Sequence, residues 1–250
     1  MNDKDHVFFY QNGYLPLGQL FSDQDAARLC EGFDQDRETR GRTMWRPLDS
    51  AYQTVNCDPL ITWPQVEEII RHPQILAPIQ TLLGAPICLS EACLRHMAPY
   101  EGEGWQHWHR DKPHWQEHPL RTQYIHALVY LSDIDETTHC FSISPEAADD
   151  PILDKEHQLA RSGTVDLHGP AGTVVLFNLS VLHTATIRPT QTERKTVQIY
   201  YGRRDQPHLS NYTVMPARLW RDHPDPEVRA FYSVLNPKSR AFAAAFGAAP

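Results

Sequence analysis

Apolar positions three and four residues apart mark the helices predicted in the first third of the chain. Ser22 precedes two acidic residues and an apolar stripe at 26, 29, 30 and 33, so a helix is predicted to begin after this N-cap. Two further helices are predicted at 65–71 and 74–83, each opened by a proline, the second closed by Gly84.

From residue 86 onward the pattern changes to short runs of β-branched, aromatic and other apolar residues. Such runs, separated by turn-forming residues, cover 87–97, 123–131, 140–143, 172–177 and 195–202. This arrangement favours an antiparallel double-sheet jelly roll, a double-stranded β-helix of cupin-like type, with the early helices packed along one sheet. The predicted fold class is mainly β with flanking helices.

The pattern predicts one domain over 1–250, in three parts. These are a helical N-terminal part (1–85), a jelly-roll core (about 86–205) and a C-terminal extension (206–250) with a possible helix at 226–235. A chain of 250 residues with 41% hydrophobic content can bury a sizeable core. The acid-rich stretch 144–167 is expected to cross the mouth of the barrel as a long loop.

Composition and charge narrow the class of protein. The net charge is −8 without a basic stripe, which argues against a nucleic-acid partner. No apolar stretch reaches membrane-spanning length and no leader pattern is visible, so a cytoplasmic protein without membrane association is expected. The five cysteines contain no Cys-x-x-Cys pair, which argues against a disulfide framework and a thiolate zinc site. The sequence predicts no particular oligomeric state.

Two His-x-Asp motifs are present, about as many as chance predicts for this composition. His223-Pro224-Asp225 lies between prolines and cannot hold a strand, whereas His109-Arg110-Asp111 is followed by a β-type run. In a strand, His109 and Asp111 would share a face, with His107 as a competing ligand of the same parity. Two imidazoles and one carboxylate form a non-haem Fe(II) site with a face open to O2, and His183, between two predicted strands, is the candidate for the second imidazole.

The spacing of these residues resembles the phytanoyl-CoA dioxygenase-like family of Fe(II)- and 2-oxoglutarate-dependent oxygenases. That family has His-x-Asp, a long insert, a distal His, and an Arg about eleven residues later, and Arg194 follows His183 by that interval. The flanks at 13–22 and 72–84 also look like the family, and the resemblance covers about residues 10 to 205.

The resemblance implies that His109, Asp111 and His183 bind Fe(II) and that Arg194 holds the far carboxylate of 2-oxoglutarate. Thr196 shares the parity of Arg194 and is a second candidate donor to that carboxylate, and Trp115 lies where some members place an aromatic wall of the cosubstrate pocket. Related halogenases replace the carboxylate ligand by a small residue. Because Asp111 is present, oxidation of a small molecule, most simply hydroxylation with release of succinate and CO2, is the expected reaction.

Alternatives stay open at this stage. Arg194 could form a salt bridge at the rim with Glu193 or Asp166, and Thr196 and Trp115 could be ordinary packing residues. An iron dioxygenase that does not use 2-oxoglutarate would need the three ligands but not Arg194. A non-catalytic jelly-roll binding module would need neither, and a zinc hydrolase would need a nearby general base.

Overall fold

Two antiparallel sheets form the centre of the protein in the computed structural model, which describes residues 1–48 and 50–246. The strands are β1 (Tyr14–Gln19), β2 (Arg46–Leu48), β3 (Ser50–Asn56), β4 (Ile87–Met97), β5 (Trp105–Gln106), β6 (Tyr124–Tyr130), β7 (Cys140–Ile143), β8 (Val165–Leu167), β9 (Thr173–Asn178), β10 (His183–Ile187) and β11 (Arg194–Arg203). Within these residues the large sheet has the order β1-β9-β6-β11-β4-β3-β2, and the small sheet has the order β5-β10-β7-β8.

The helices lie mostly before and after the strands of the central region. They are α1 (Asp3–Asn12), α2 (Asp23–Arg40), α3 (Pro59–Thr62), α4 (Glu67–Ile70), α5 (Pro73–Leu83), α6 (Lys155–Ser162), α7 (Ala217–Trp220), α8 (Pro226–Phe231) and α9 (Pro237–Ala245), with a 3-10 turn at Pro64–Val66. None of the helices described is both long and apolar enough to cross a membrane.

Alternation along the central strands divides the interior into two cores. On β6, Ile125, Ala127 and Val129 belong to a core shared with helices α2 and α5. Leu128 and Tyr130 point the other way, into a second core shared with β7 and β8 of the small sheet. The two sheets therefore face each other and the helices cover the outer face of the large one. The predicted mainly β, jelly-roll class is confirmed, although the sheets do not close into a barrel.

Local signals explain the ends of the predicted helices. The Ser22 side chain accepts a hydrogen bond from the backbone N–H of Asp25, so α2 begins where the N-cap predicts. Gly84 ends α5 with a φ of 61°, in the left-handed region that glycine adopts without strain. Helix α8 begins at Pro226 as expected but ends at Phe231.

The structure corrects the description of residues 1–85 as a helical part. This segment also contains β1, β2 and β3, which complete the large sheet on both sides. The stretch 144–167 is not a structureless loop, because it contains α6 and the edge strand β8. The C-terminal extension contains α7, α8 and α9, and its last four residues lie outside the described residues.

Candidate active site

Backbone hydrogen bonds bring the two motif segments together. His109 and His183 form an antiparallel bridge in which each backbone N–H donates to the other's carbonyl at 3.0 Å. The N–H of Asp111 donates to the carbonyl of Leu179 at 3.1 Å. His109 is thus an isolated bridge residue and Asp111 lies in a bend, so the two side chains converge without sharing a strand. His183 is the first residue of β10 rather than part of a connection.

The side chains of His109, Asp111 and His183 converge, and their potential ligand atoms all lie within 4.8 Å of one another. His109 Nε2 is 3.4 Å from Asp111 Oδ1, and His183 Nε2 is 3.6 Å from Asp111 Oδ2. The Nδ1 atom of each imidazole donates to a backbone carbonyl two residues earlier, in both cases at 2.8 Å. Because a carbonyl only accepts, each Nδ1 carries the hydrogen and each Nε2 lone pair is available to a cation.

Electrostatics favour the protonation states that a metal needs at two of the three positions. Burial opposes ionisation of Asp111, but the hydrogen bond from His109 and the neighbouring imidazoles outweigh it and lower its pKa to about 2. Burial lowers the pKa of His183 to about 4. The hydrogen bond with Asp111 raises the pKa of His109. A carboxylate and neutral imidazoles are the forms that bind a divalent cation, so the donor set fits a metal ion.

A cavity of about 340 Å³ opens from these residues into the space between the sheets. Arg194 lies on it and is only 1% exposed. Its Nη1 is 3.3 Å from Met97 Sδ and 3.4 Å from the carbonyl oxygen of Cys140, whereas Nε and Nη2 have no partner among the described residues. Thr196, two residues along β11, is also buried, with an unpartnered hydroxyl. Neither these two guanidinium nitrogens nor the Thr196 hydroxyl has an acceptor among the described residues, and of the two residues Arg194 is the one that lines the cavity.

The rim salt bridges considered for Arg194 are absent from the described residues. Glu193 pairs with His96 and Lys195, and Asp166 pairs with Arg188. Arg194 is therefore a buried cation that meets no carboxylate in the described part of the chain. A charge held in this way is costly unless a bound anion reaches it.

Trp115 does not line this cavity, so its prediction as a wall of the cosubstrate pocket is wrong. Its ring stacks on His118, with ring centroids 5.9 Å apart, and the Arg203 guanidinium lies 5.6 Å from its centroid. Both partners belong to a different surface depression, next to the end of α5. The chain turns between Asp111 and Trp115, so a spacing of four residues did not keep the indole on the side of His109 and His183.

Several cavity residues escaped the sequence prediction. Phe141 and Phe177 form aromatic walls against His183, at centroid distances of 5.3 and 4.9 Å. Trp105 is 40% exposed and lies at the rim. Gln198 and Tyr200 line the cavity from the face of β11 that carries Arg194. Their alternation with Val197 and Ile199 was the signal that could have found them.

A second cavity, of about 300 Å³, adjoins the first. The residues common to both are Leu48, Arg95, Asp111 and Tyr200. The rest of its lining comes from the strands β2, β3 and β4, from Cys57 and Lys112, and from the segment 209–212, which follows β11. The stretch 144–167, expected over the mouth, contributes to neither cavity among the residues described.

Comparisons with known proteins agree with this architecture. L-proline trans-4-hydroxylase from Streptomyces griseoviridis is 21% identical over 231 residues, covering 79% of this chain and 85% of that protein. The α-ketoglutarate-dependent carbocyclase SnoK from nogalamycin biosynthesis superposes with a TM-score of 0.70 at 16% identity, over 83% of this chain and 86% of that one. EctD from S. alaskensis with bound Fe also gives 0.70 at 16% identity, over 87% and 82%.

At these identities the structural likenesses establish a common fold. The family is established by the sequence itself, because the profile of the phytanoyl-CoA dioxygenase (PhyH) family matches residues 9–196, about three quarters of the chain. That match contains the converging His109, Asp111 and His183 and the buried Arg194. The chain belongs to the phytanoyl-CoA dioxygenase (PhyH) family.

Proposed function

We propose that this protein is an Fe(II)- and 2-oxoglutarate-dependent dioxygenase that oxidises a small molecule, most simply by hydroxylation. The observation that carries the proposal is Arg194, a buried guanidinium without a carboxylate partner, on the same cavity as His109, Asp111 and His183. The PhyH family uses Fe(II) and 2-oxoglutarate. Two imidazoles with one carboxylate are the ligand set of non-haem Fe(II) oxygenases.

In this proposal His109, Asp111 and His183 hold the iron, and Arg194 holds the far carboxylate of 2-oxoglutarate with help from the Thr196 hydroxyl. Iron bound with 2-oxoglutarate and O2 supplies the oxidising power, with succinate and CO2 as coproducts. A guanidinium matches a carboxylate through two parallel hydrogen bonds, and burial strengthens both. Phe141 and Phe177 keep water away from the cavity wall beside His183, which protects an oxidising site from side reactions.

Hydroxylation is favoured over chlorination because Asp111 occupies the carboxylate position and leaves no space there for a halide ligand. The relationship to a proline hydroxylase supports the same reaction type. We also propose that the chain forms one oxygenase domain, because β1 to β3 complete the large sheet and the segment 209–212 lines the second cavity.

Replacing Arg194 tests the proposal. Arg194→Met replaces the guanidinium by a flexible, uncharged side chain. We expect Co(II) binding to be retained and the KM for 2-oxoglutarate to rise at least about 30-fold, the loss typical of a buried charge pair. Succinate release by the iron-loaded protein is the measurement. Arg188→Met is the matched control, since Arg188 already pairs with Asp166, and its KM should stay within about twofold of wild type.

The other function classes give different results in the same assay. A dioxygenase that does not use 2-oxoglutarate would bind iron but release no succinate. A non-catalytic binding module would not take up one equivalent of Fe(II) or Co(II). An unchanged KM for 2-oxoglutarate in Arg194→Met would show that the anchor is misassigned. Asp111→Ala should abolish turnover in a dioxygenase of either kind.

A further inference from the structure

The second cavity has an opening onto the proposed metal site and a polar lining that the reaction described so far does not use. Asp111 belongs to both cavities, so a molecule in the second cavity reaches the proposed metal without passing through the space around Arg194. Leu48, Val55 and Leu209 give it apolar walls. Its volume of about 300 Å³ suits a small metabolite.

Arg95 supplies a positive charge at the junction of the two cavities. It lies on β4, in register with Val55 of β3 and Thr196 of β11, so it points into the space between the sheets. Its Nε is buried without a hydrogen-bond partner, and the guanidinium pairs with no carboxylate among the described residues. Like Arg194, it is an anion-binding group without an anion, but it faces the second cavity as well.

Glu91 supplies the opposite charge on the same face of β4. It is 8% exposed, and its polar partner is the hydroxyl of Ser210; no cationic side chain in the described part of the chain pairs with it. Burial raises its pKa to about 7. Four residues of strand separate the Cα atoms of Glu91 and Arg95 by about 13 Å, which leaves room for a small molecule between the two side chains.

We propose that the second cavity binds the substrate and that the substrate is a small amino carboxylate. Its carboxylate pairs with Arg95 and its protonated amine with Glu91, so that its carbon skeleton lies along the apolar wall beside Asp111. This inference rests on the proposed function. It names a substrate with both charges, because a simple carboxylic acid would leave Glu91 without a cation and a simple amine would leave Arg95 without an anion.

A panel of small molecules tests the substrate class. The iron-loaded wild-type protein is supplied with 2-oxoglutarate, O2 and one compound at a time: the proteinogenic amino acids, their cyclic and N-methyl analogues, and short β- and γ-amino acids. We expect at least one member to raise succinate release about tenfold or more above the rate without substrate, and to gain 16 Da. The N-acetyl and carboxamide derivatives of that compound should give no increase, since each removes one charge.

Variants test the two contacts. Glu91→Gln keeps the side-chain size and Arg95→Gln keeps a polar side chain; each removes one charge and should raise the KM for the active amino carboxylate at least about 30-fold. The metal content of both variants should stay at one equivalent, because neither side chain is a proposed metal ligand. The matched controls Arg221→Gln and Glu227→Gln lie on the surface and should leave every value unchanged. Arg95→Lys should recover part of the affinity, because it restores the charge without the planar pair of donors.

Failure of this inference differs from failure of the proposed function. If the wild-type protein releases succinate slowly without substrate and no panel member raises the rate above twofold, the substrate class is wrong and the function stands. The same holds if the neutral derivatives act as well as their parents, or if both variants keep the wild-type KM. If no succinate forms under any condition, the proposed function itself is wrong.

Discussion

Arg110 lies between two of the proposed metal ligands, but its side chain points away from them. It forms an ion pair with the buried Glu146 and donates to the carbonyl of Ser180 at 2.8 Å and to that of Leu153 at 3.2 Å. Ser180 belongs to the turn that precedes His183. Arg110 therefore holds the His109 segment against the His183 segment from behind, on the side that the cavity does not reach.

Substitution of Arg110 should weaken metal binding without removing a ligand. Arg110→Met leaves Glu146 buried with only His114 beside it, so we expect the free energy of unfolding to fall by about 3 kcal/mol. We also expect Co(II) affinity to fall at least about tenfold, because the ligands are less well positioned. Urea unfolding and calorimetric titration measure the two effects, with Arg221→Met as a surface control. An unchanged Co(II) affinity would count against the positioning role.

Among the elements, the connection from α1 to β1 depends on a glycine for two separate reasons. Gly13 has a φ of 72° at the C-terminus of α1, a conformation that other residues adopt only with strain. A Cβ at this position would also lie 2.4 Å from Cγ2 of Val181, next to the segment that carries His183. Gly18, within β1, has a similar φ of 76°, but no atom would lie within 4 Å of its Cβ.

The two glycines therefore form a matched pair. Gly18→Ala should cost about 1 kcal/mol of unfolding free energy, from backbone strain alone. Gly13→Ala adds the clash with Val181 and should cost about 3 kcal/mol. Urea unfolding of the two variants measures the difference. Equal losses would show that β1 has space to move away from Val181.

The elements differ in how readily the sequence predicts them. β4 and β7 match their apolar runs at both ends, and β6, β9 and β11 differ by one residue at their boundaries. These strands are buried on both faces, so a nearly continuous run of apolar residues marks them in the sequence. β1 was missed because Pro16 and Gly18 interrupt its pattern and its partner β9 is more than 150 residues away. β3 was missed because most of its residues are polar, and β2 because it has three residues and contains Pro47.

The candidate site likewise contains residues that the sequence predicts and residues that it does not. His109, Asp111, His183 and Arg194 were predictable because the chemistry of a metal and an anion restricts both residue types and spacing. The error on Trp115 came from assuming that spacing fixes direction through a bend. The second cavity could not be predicted, since β3, β4 and the segment 209–212 meet there only after folding. Charged residues within an apolar strand, such as Glu91 and Arg95, were the available signal.

At the scale of the whole molecule, several neutral histidines lie in the interior. His96, His126, His139 and His183 are each at most 3% exposed, and burial lowers the pKa of each. Below a pH of about 6.5 these histidines bind protons in the unfolded chain but stay neutral in the folded protein. The free energy of unfolding therefore decreases as the pH falls. His109, whose pKa is raised by Asp111, acts in the opposite direction.

The metal-free protein should consequently lose stability between pH 7.5 and pH 5.5. Each histidine that stays neutral contributes a loss of up to about 1.4 kcal/mol at one pH unit below its unfolded pKa. His126→Phe should reduce the loss, because His126 packs between Phe177 and Tyr200 and both of its ring nitrogens lack partners. Urea unfolding at the two pH values measures this, and a loss as large in His126→Phe as in wild type would contradict the explanation. Asp111 titrates at lower pH, whereas Glu91, whose pKa burial raises to about 7, takes up a proton in this window and offsets part of the loss.

The reciprocal amide bridge between His109 and His183 has an evolutionary consequence. Backbone hydrogen bonds join the two segments. Replacement of His109, Asp111 or His183 therefore removes a proposed metal ligand and leaves these hydrogen bonds in place. On the proposed function, a single codon change would turn a descendant of this chain into a pseudoenzyme that still folds. Intact architecture is therefore a poor guide to activity among such descendants, and the identity of three side chains is a better one.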